Sequence, residues 1–278
     1  MTTTLLSILA GPTHARLALA HSPAGALDAR SLQPSRVVPI TELAGAARAA
    51  LAGLGAGAPL DGRVLLACDD PTEASRLDSA VRDATGWPVI RLVAPGAHEP
   101  SGAARVPLAT DLTPPIDATF ERLLAALGAH RRSRQACLVV DCGAQVSVDF
   151  VDAYGVLRGG VLAPGLGAML GATDARTRVA PPTAKGAMPA GPIGMNTADA
   201  MLLGAAGAVR GLVRYQAERV AELAGSYPRV IATGADAALL LEEDDLVEHI
   251  VPDLAMVGML EAWQTIDGAE ADGDERAK

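Results

Sequence analysis

A chain of 278 residues is long enough for one large or two medium domains with cores of their own. Hydrophobic residues make up 50% of it but aromatic residues only 3%, so the core must be built from Ala, Leu and Val. The net charge of −9, with no basic run longer than Arg131-Arg132-Ser133-Arg134, argues against a nucleic-acid partner, because a phosphate backbone demands a clustered cationic face. Cys68, Cys137 and Cys142 are too few and too oddly spaced for a zinc site or a disulfide framework. Cys68 and Cys137 lie in apolar runs and read as small buried hydrophobes. No stretch is apolar for long enough to span a bilayer. The short apolar run at residues 5–10 has no basic flank, so a cytoplasmic protein without a signal peptide is expected.

The chain opens with apolar runs at 5–10 and 15–20 around a glycine turn, and a third extended piece is expected at 27–32. Residues 42–54 are alanine-rich and predict a helix capped by Thr41 and ended by Gly53 and Gly55. A buried strand is predicted at 64–68, a helix with proline at its start at 71–84, a strand at 89–93 and a loop at 95–107. A helical run at 120–128 precedes strands at 137–140, 145–153 and 157–162. The span 197–225 carries Met201, Leu202, Ala205, Val209, Leu212 and Val220 at a helical period. A strand at 229–232 and helices at 235–241 and 256–264 follow, and the acidic tail 267–278 is expected to be disordered.

Residues 5–32 and 137–163 both read strand, glycine turn, strand, turn, strand. Such an internal repeat predicts an α/β fold of two similar lobes, each a mixed sheet with flanking helices, with a cleft between them. The expected division is 1–115, 116–266 and the tail 267–278.

The chemistry-bearing stretch is Asp141-Cys142-Gly143-Ala144, at the end of an apolar strand, with Ser147 and Asp149 alternating on the strand that follows. An acid at a strand's end can hold a cation, and a glycine there lets the backbone approach a phosphate. The same residues also suit an ordinary hairpin with tight turns. Cys142 lies inside this turn, where it either packs or reports on a ligand through its reactivity.

Asp141-Cys142-Gly143, the run from Gly159 to Gly165, Ile193-Gly194-Met195-Asn196-Thr197 and Ile231-Ala232-Thr233-Gly234 together resemble the type III pantothenate kinases. The resemblance implies actin-like (ribonuclease H-like) lobes. It also implies ATP-dependent phosphorylation of pantothenate to 4'-phosphopantothenate, the first step of coenzyme A biosynthesis. Magnesium, a monovalent cation (potassium or ammonium) and a homodimer come with it. It places Gly11, Thr13, Gly143, Ala144, Thr233 and Gly234 at the nucleotide, Asp141 on the monovalent cation, and Ile116, Asp117 and Thr197 at the substrate. Asp117 would be the catalytic base, although its place ahead of a helix equally suits a cap. Thr197 likewise reads as a substrate contact or as the cap of the following helix.

The chain departs from that family at several of these positions. Where the family opens with strand-Asp-x-Gly-Asn-Thr, Leu9-Ala10-Gly11-Pro12-Thr13 stands here. Leucine cannot ligate a hard cation, and proline removes a backbone donor. The family's Gly-x-Asp-Arg is Pro115-Ile116-Asp117-Ala118, and the threonine of Asp-x-Gly-Thr is Ala144. Phosphoryl transfer depends on positioning and charge neutralisation, and one lost electrostatic contact costs about 3–4 kcal/mol. Weak or lost kinase activity is therefore expected. The alternative is a non-catalytic homologue acting as a ligand-binding or regulatory dimer.

Overall fold

The computed structural model describes residues 3–22, 27–54, 62–113, 118–177 and 188–276. They form two compact units, one comprising 1–131 with 253–278 and the other 132–252.

The first unit begins with a hairpin, β1 (Thr3–Ala10) and β2 (His14–Ser22), paired antiparallel from Thr3↔Ser22 to Ala10↔Ala15. Antiparallel β3 (Arg36–Pro39) flanks β2, while β4 (Gly62–Cys68), β5 (Val89–Val93) and β6 (Ala103–Arg105) add in parallel on the other side. The sheet order is β3-β2-β1-β4-β5-β6. One face, carrying Leu6, Ile8, Val64 and Leu66, packs on α1 (Leu43–Ala52) and α2 (Pro71–Thr85) through Leu43, Ala47, Leu77 and Val81. Helix α2 shows how local chemistry sets an element. The Asp70 carboxylate caps it by accepting the N–H groups of Thr72 at 2.8 Å and Glu73 at 3.0 Å, Pro71 occupies the first turn, and Gly86 ends it at φ 72°. A short strand, β7 (Ala109–Thr110), precedes α3 (Phe120–Ser133).

The second unit repeats the pattern. Strand β8 (Cys137–Cys142) pairs antiparallel with β9 (Gln145–Val151), which pairs antiparallel with β10 (Val156–Pro164). Helices α4 (Leu166–Thr177) and α5 (Thr197–Ala224) follow, then β11 (Arg229–Thr233), α6 (Ala237–Leu241) and β12 (Val247–Ile250). Strands β8, β11 and β12 run parallel, giving the succession β10-β9-β8-β11-β12. This matches β3-β2-β1-β4-β5, so the repeat read from the sequence is a repeat of topology. The two mixed sheets with flanking helices are the expected actin-like α/β architecture. Val140, Cys142, Val146 and Val148 face α5, whose buried Met201, Leu202, Ala205, Val209, Val213 and Val220 recur at helical spacing.

Several elements differ from expectation. The third strand of the first repeat lies at Arg36–Pro39, because the Asp28 carboxylate accepts the N–H groups of Arg30 and Ser31 and turns the chain where 27–32 was expected to extend. Only a single bridge, Ala20↔Leu32, remains there. Thr41 does not cap α1; it sits in a 3-10 turn, Ile40–Glu42, with no side-chain cap. The expected loop at 95–107 contains β6. The unit boundary does not fall at residue 115, because α3 and the last helix, α7 (Leu254–Arg276), both pack into the first unit. The glycines Gly128 of α3 and Gly258 of α7 let the two backbones touch. Helix α7 lies against β1 and continues to Arg276, through residues expected to be disordered. Among the described residues no helix is long and apolar enough to cross a membrane.

Candidate functional site

In the second unit the pleat separates two jobs. Even-numbered residues of β8 and β9 enter the core beneath α5, so Asp141, Ser147 and Asp149 lie on the opposite face. The register sets Ser147, Asp141 and Thr233 side by side across β9, β8 and β11. Ser147 and Thr233 are each 5% exposed and Asp149 1%, so Asp149 is a buried carboxylate rather than a solvated strand residue.

The strand-end turn is held from two directions. Gly143 donates its N–H to the Gln145 carbonyl at 3.0 Å, and Gly165, after β10, donates to the Ala144 carbonyl at 3.2 Å. From the β11–α6 corner, Asp236 donates its N–H to the Cys142 carbonyl at 3.0 Å. Gly234 stands at φ 98° with its Cα against this turn. A Cβ there would run into the Asp141 Oδ1 atom and come within 2.5 Å of the Cys142 carbonyl group. At Gly143, by contrast, a Cβ would make only ordinary contacts, 3.6 Å from Asp141 Oδ1 and 3.8 Å from the Gln145 carbonyl. Among the described residues nothing in the packing demands glycine at that tip, which suits a backbone kept open for a ligand. Asp141, Gly143, Ala144, Thr233 and Gly234 are thus brought together.

Asp236 was not singled out by the sequence; loss of hydration raises its pKa. Burial pushes the Cys142 thiol up to about 12, with the charges of Asp141 and Asp236 adding to it. Burial also takes Cys137 to about 12, against a hydrogen bond with Ser133. At pH 8 these groups carry roughly a thousandfold less thiolate than a free cysteine. Native protein is therefore expected to leave Cys137 and Cys142 unmodified over minutes in an aromatic disulfide assay, and denatured protein to titrate all three thiols at once. Fast native reaction at Cys142 would contradict its packing role.

Thr197 begins α5, but it is not the cap. Asn196 is, accepting the Asp199 N–H through its side-chain oxygen at 2.9 Å. Thr197 is exposed, and no hydrogen bond among the described residues ties it to the Asp141 turn. Ile116 and Asp117 lie outside the described residues.

In the first unit, Gly11 and Thr13 occupy the tip of the β1–β2 hairpin. The Gly11 N–H is spent on the His14 carbonyl at 2.9 Å, and the Thr13 hydroxyl meets His14 Nδ1 at 3.0 Å. Leu9 is 8% exposed and packs as a hydrophobe. With Pro12 lacking an N–H, this tip offers a phosphate fewer donors than its glycine suggests. A cavity of about 260 Å³ opens here, lined by Leu9, Gly11, His14, Arg16, Asp69 and Glu121 among others. Asp69 was also missed by sequence reasoning; the available signal was its place just beyond the carboxyl end of a parallel strand, where α/β proteins bind ligands. Among the described residues no three His, Cys, Asp or Glu side chains converge on a metal position. A cation here would have no all-protein cage among the described residues and would have to take most of its shell from water or substrate oxygens.

Known proteins bear on this arrangement. A family model described as type III pantothenate kinase matches residues 97–219. A type III pantothenate kinase of Rhodococcus erythropolis is 35% identical over 167 residues, covering 58% of this chain and 60% of that protein. One from Rhodopirellula baltica is 39% identical over 158 residues, covering 51% and 56%. The matched region spans less than two thirds of the length of these two relatives. Among solved structures, a conserved protein of Campylobacter jejuni assigned to the Baf family of transcriptional activators superposes with a TM-score of 0.54 at 12% identity, over 95% of this chain and 99% of its own. That likeness concerns the fold alone. The matched region of this chain is thus similar to the type III pantothenate kinases.

Proposed function

We propose that this protein is a phosphotransferase of pantothenate kinase descent with weak turnover, directed at the primary hydroxyl of pantothenate with ATP as donor. The observation that carries the reading is the turn Asp141–Ala144, closed by Gly165 and Gly234 within a chain whose residues 97–219 match that family. ATP, with magnesium, would supply the phosphoryl group. The chain's part is to hold and orient. Asp141 and neighbouring carbonyls would hold a monovalent cation such as potassium. Gly143 and Gly234 would let the backbone approach phosphate oxygens, Thr197 would position the acceptor, and Asp117 would take its hydroxyl proton. The family's homodimer is supported here by the exposed apolar side chains of Tyr215 and Leu223 on α5 and of Tyr227 beyond it. A cytoplasmic setting accords with small soluble substrates.

Leu9 and Pro12 in the first unit and Ala144 in the second each stand where the resemblance implies an oxygen ligand or a donor, which favours slow chemistry. Turnover of pantothenate with magnesium and potassium, followed with terminally labelled ATP, is expected at or below about a hundredth of the roughly 1–100 s⁻¹ usual for kinases. A rate inside that usual range would overturn the weakened-enzyme reading. The second reading is a non-catalytic ligand-binding or regulatory dimer, and the same substitutions favour it. It requires no turnover at all, together with saturable binding of pantothenate or ATP by calorimetry.

A further inference from the structure

The hairpin cavity lacks an acid at position 9, yet it does not lack a carboxylate. Strands β1 and β4 run parallel with Ala10 opposite Cys68, so the residue after β4 emerges beside the hairpin tip. That residue is Asp69, and it lines the same cavity as Leu9 and Gly11. The neighbouring acids have different duties. Asp70 turns to α2 and caps it, as described above. Asp69 accepts the Phe120 N–H at the start of α3 through Oδ1 at 2.8 Å, which fixes the carboxylate and leaves Oδ2 without a described hydrogen bond or ion pair.

The other charges in the cavity largely cancel. Arg16 lies 3.4 Å from Glu121, so the guanidinium is already matched. Asp69 is left as the negative group with no cationic partner described. A cation in the cavity would match that charge. Magnesium-type ions commonly take one or two protein carboxylates and complete their shell with water and phosphate oxygens, so the single carboxylate of Asp69 is enough to begin such a site.

We propose that Asp69 is the oxygen ligand for a divalent cation in the β1–β2 hairpin cavity, standing in for the acid that position 9 lacks. The assignment deepens the phosphotransferase reading and rests on it. The test uses Mn²⁺ as the probe, with the full chain, alone and with ATP, read by the loss of the free-ion paramagnetic resonance signal. Wild type is expected to bind Mn²⁺ saturably, and Asp69→Asn to weaken binding by at least tenfold. The amide oxygen can still cap α3, and an unchanged melting curve checks this. Glu222→Gln, on exposed α5, is expected to leave binding unaltered. Equal Mn²⁺ affinity in wild type and Asp69→Asn, or no Mn²⁺ uptake by wild type with or without ATP, would overturn the proposal. The parent reading fails separately. Asp69-dependent Mn²⁺ binding without pantothenate turnover or binding keeps this site and removes that function, whereas turnover with Asp69-independent Mn²⁺ binding does the reverse.

Discussion

Replacing Gly258 with alanine is expected to lower stability by about 3 kcal/mol, or roughly 6–12 °C in melting temperature for a chain of this size. A Cβ on Gly258 would overlap the carbonyl oxygen of Leu124 in α3, with the carbonyl carbon at 2.6 Å and the Cα at 3.0 Å. All three are backbone atoms, so no rotamer change relieves the clash and the helices must part. Gly128 meets the crossing from the other side; its Cβ would lie 2.9 Å from the Gly258 nitrogen and the Leu254 carbonyl oxygen. Separating α3 from α7 would expose a buried row that includes Leu123, Leu124, Met259 and Leu260. The matched control is Gly204→Ala in α5, where nothing lies within 4 Å of the added carbon. That change should raise stability by about 0.5–1 kcal/mol, since alanine loses less backbone entropy in a helix. Thermal melts followed by circular dichroism separate the two. A Gly258→Ala protein that melts with wild type would show that the helices do not cross at this point.

The second large effect is expected at Gly234. An alanine there must hold a φ of 98° while its Cβ presses on Asp141 and on the Cys142 carbonyl group. The strain costs about 1–3 kcal/mol, and the only relief displaces the strand end that carries Asp141. Gly234→Ala should therefore lose both stability and at least tenfold in ATP affinity, measured by calorimetry with potassium present. Gly143→Ala should behave differently. Its Cβ meets only ordinary contacts, so stability should stay within about 0.5 kcal/mol of wild type, while nucleotide affinity falls because the methyl group fills the approach to the turn. Equal nucleotide affinity in wild type and Gly143→Ala would remove the β8–β9 tip from the phosphate site.

The two glycines differ in how legible they were. Gly143 could be read from its neighbours, because an acid, a glycine and an apolar strand adjoin in the chain. Gly258 could not, because what it touches is Leu124, a residue 134 positions earlier. The same contrast runs through the candidate site. Asp141, Thr233 and Gly234 were legible as motifs at strand ends, and the register then set them side by side. In the sequence Asp69 is simply one of two adjacent acids ahead of a helix. Only the packing of α3 assigns Asp70 to the cap of α2 and Asp69 to Phe120 and the cavity. The cap of α5 shows the limit at short range, where Asn196 and Thr197 are both good capping residues and the backbone chose the first.

What the sequence determined by itself is what nearest neighbours in the chain can enforce. Alternation placed the hairpin strands, helical spacing placed α5, and glycines and prolines marked the corners, so the repeated topology and the strand-end motifs were already written there. Only the tertiary structure decided which unit α3 and α7 join, that Leu9 packs as a hydrophobe at the cavity wall and Asp149 is buried, and that a carboxylate from the end of β4 reaches the cavity of the first hairpin. The reason is physical: burial, close backbone approach and the matching of charges depend on groups that meet through space, and their separation along the chain carries no record of that meeting.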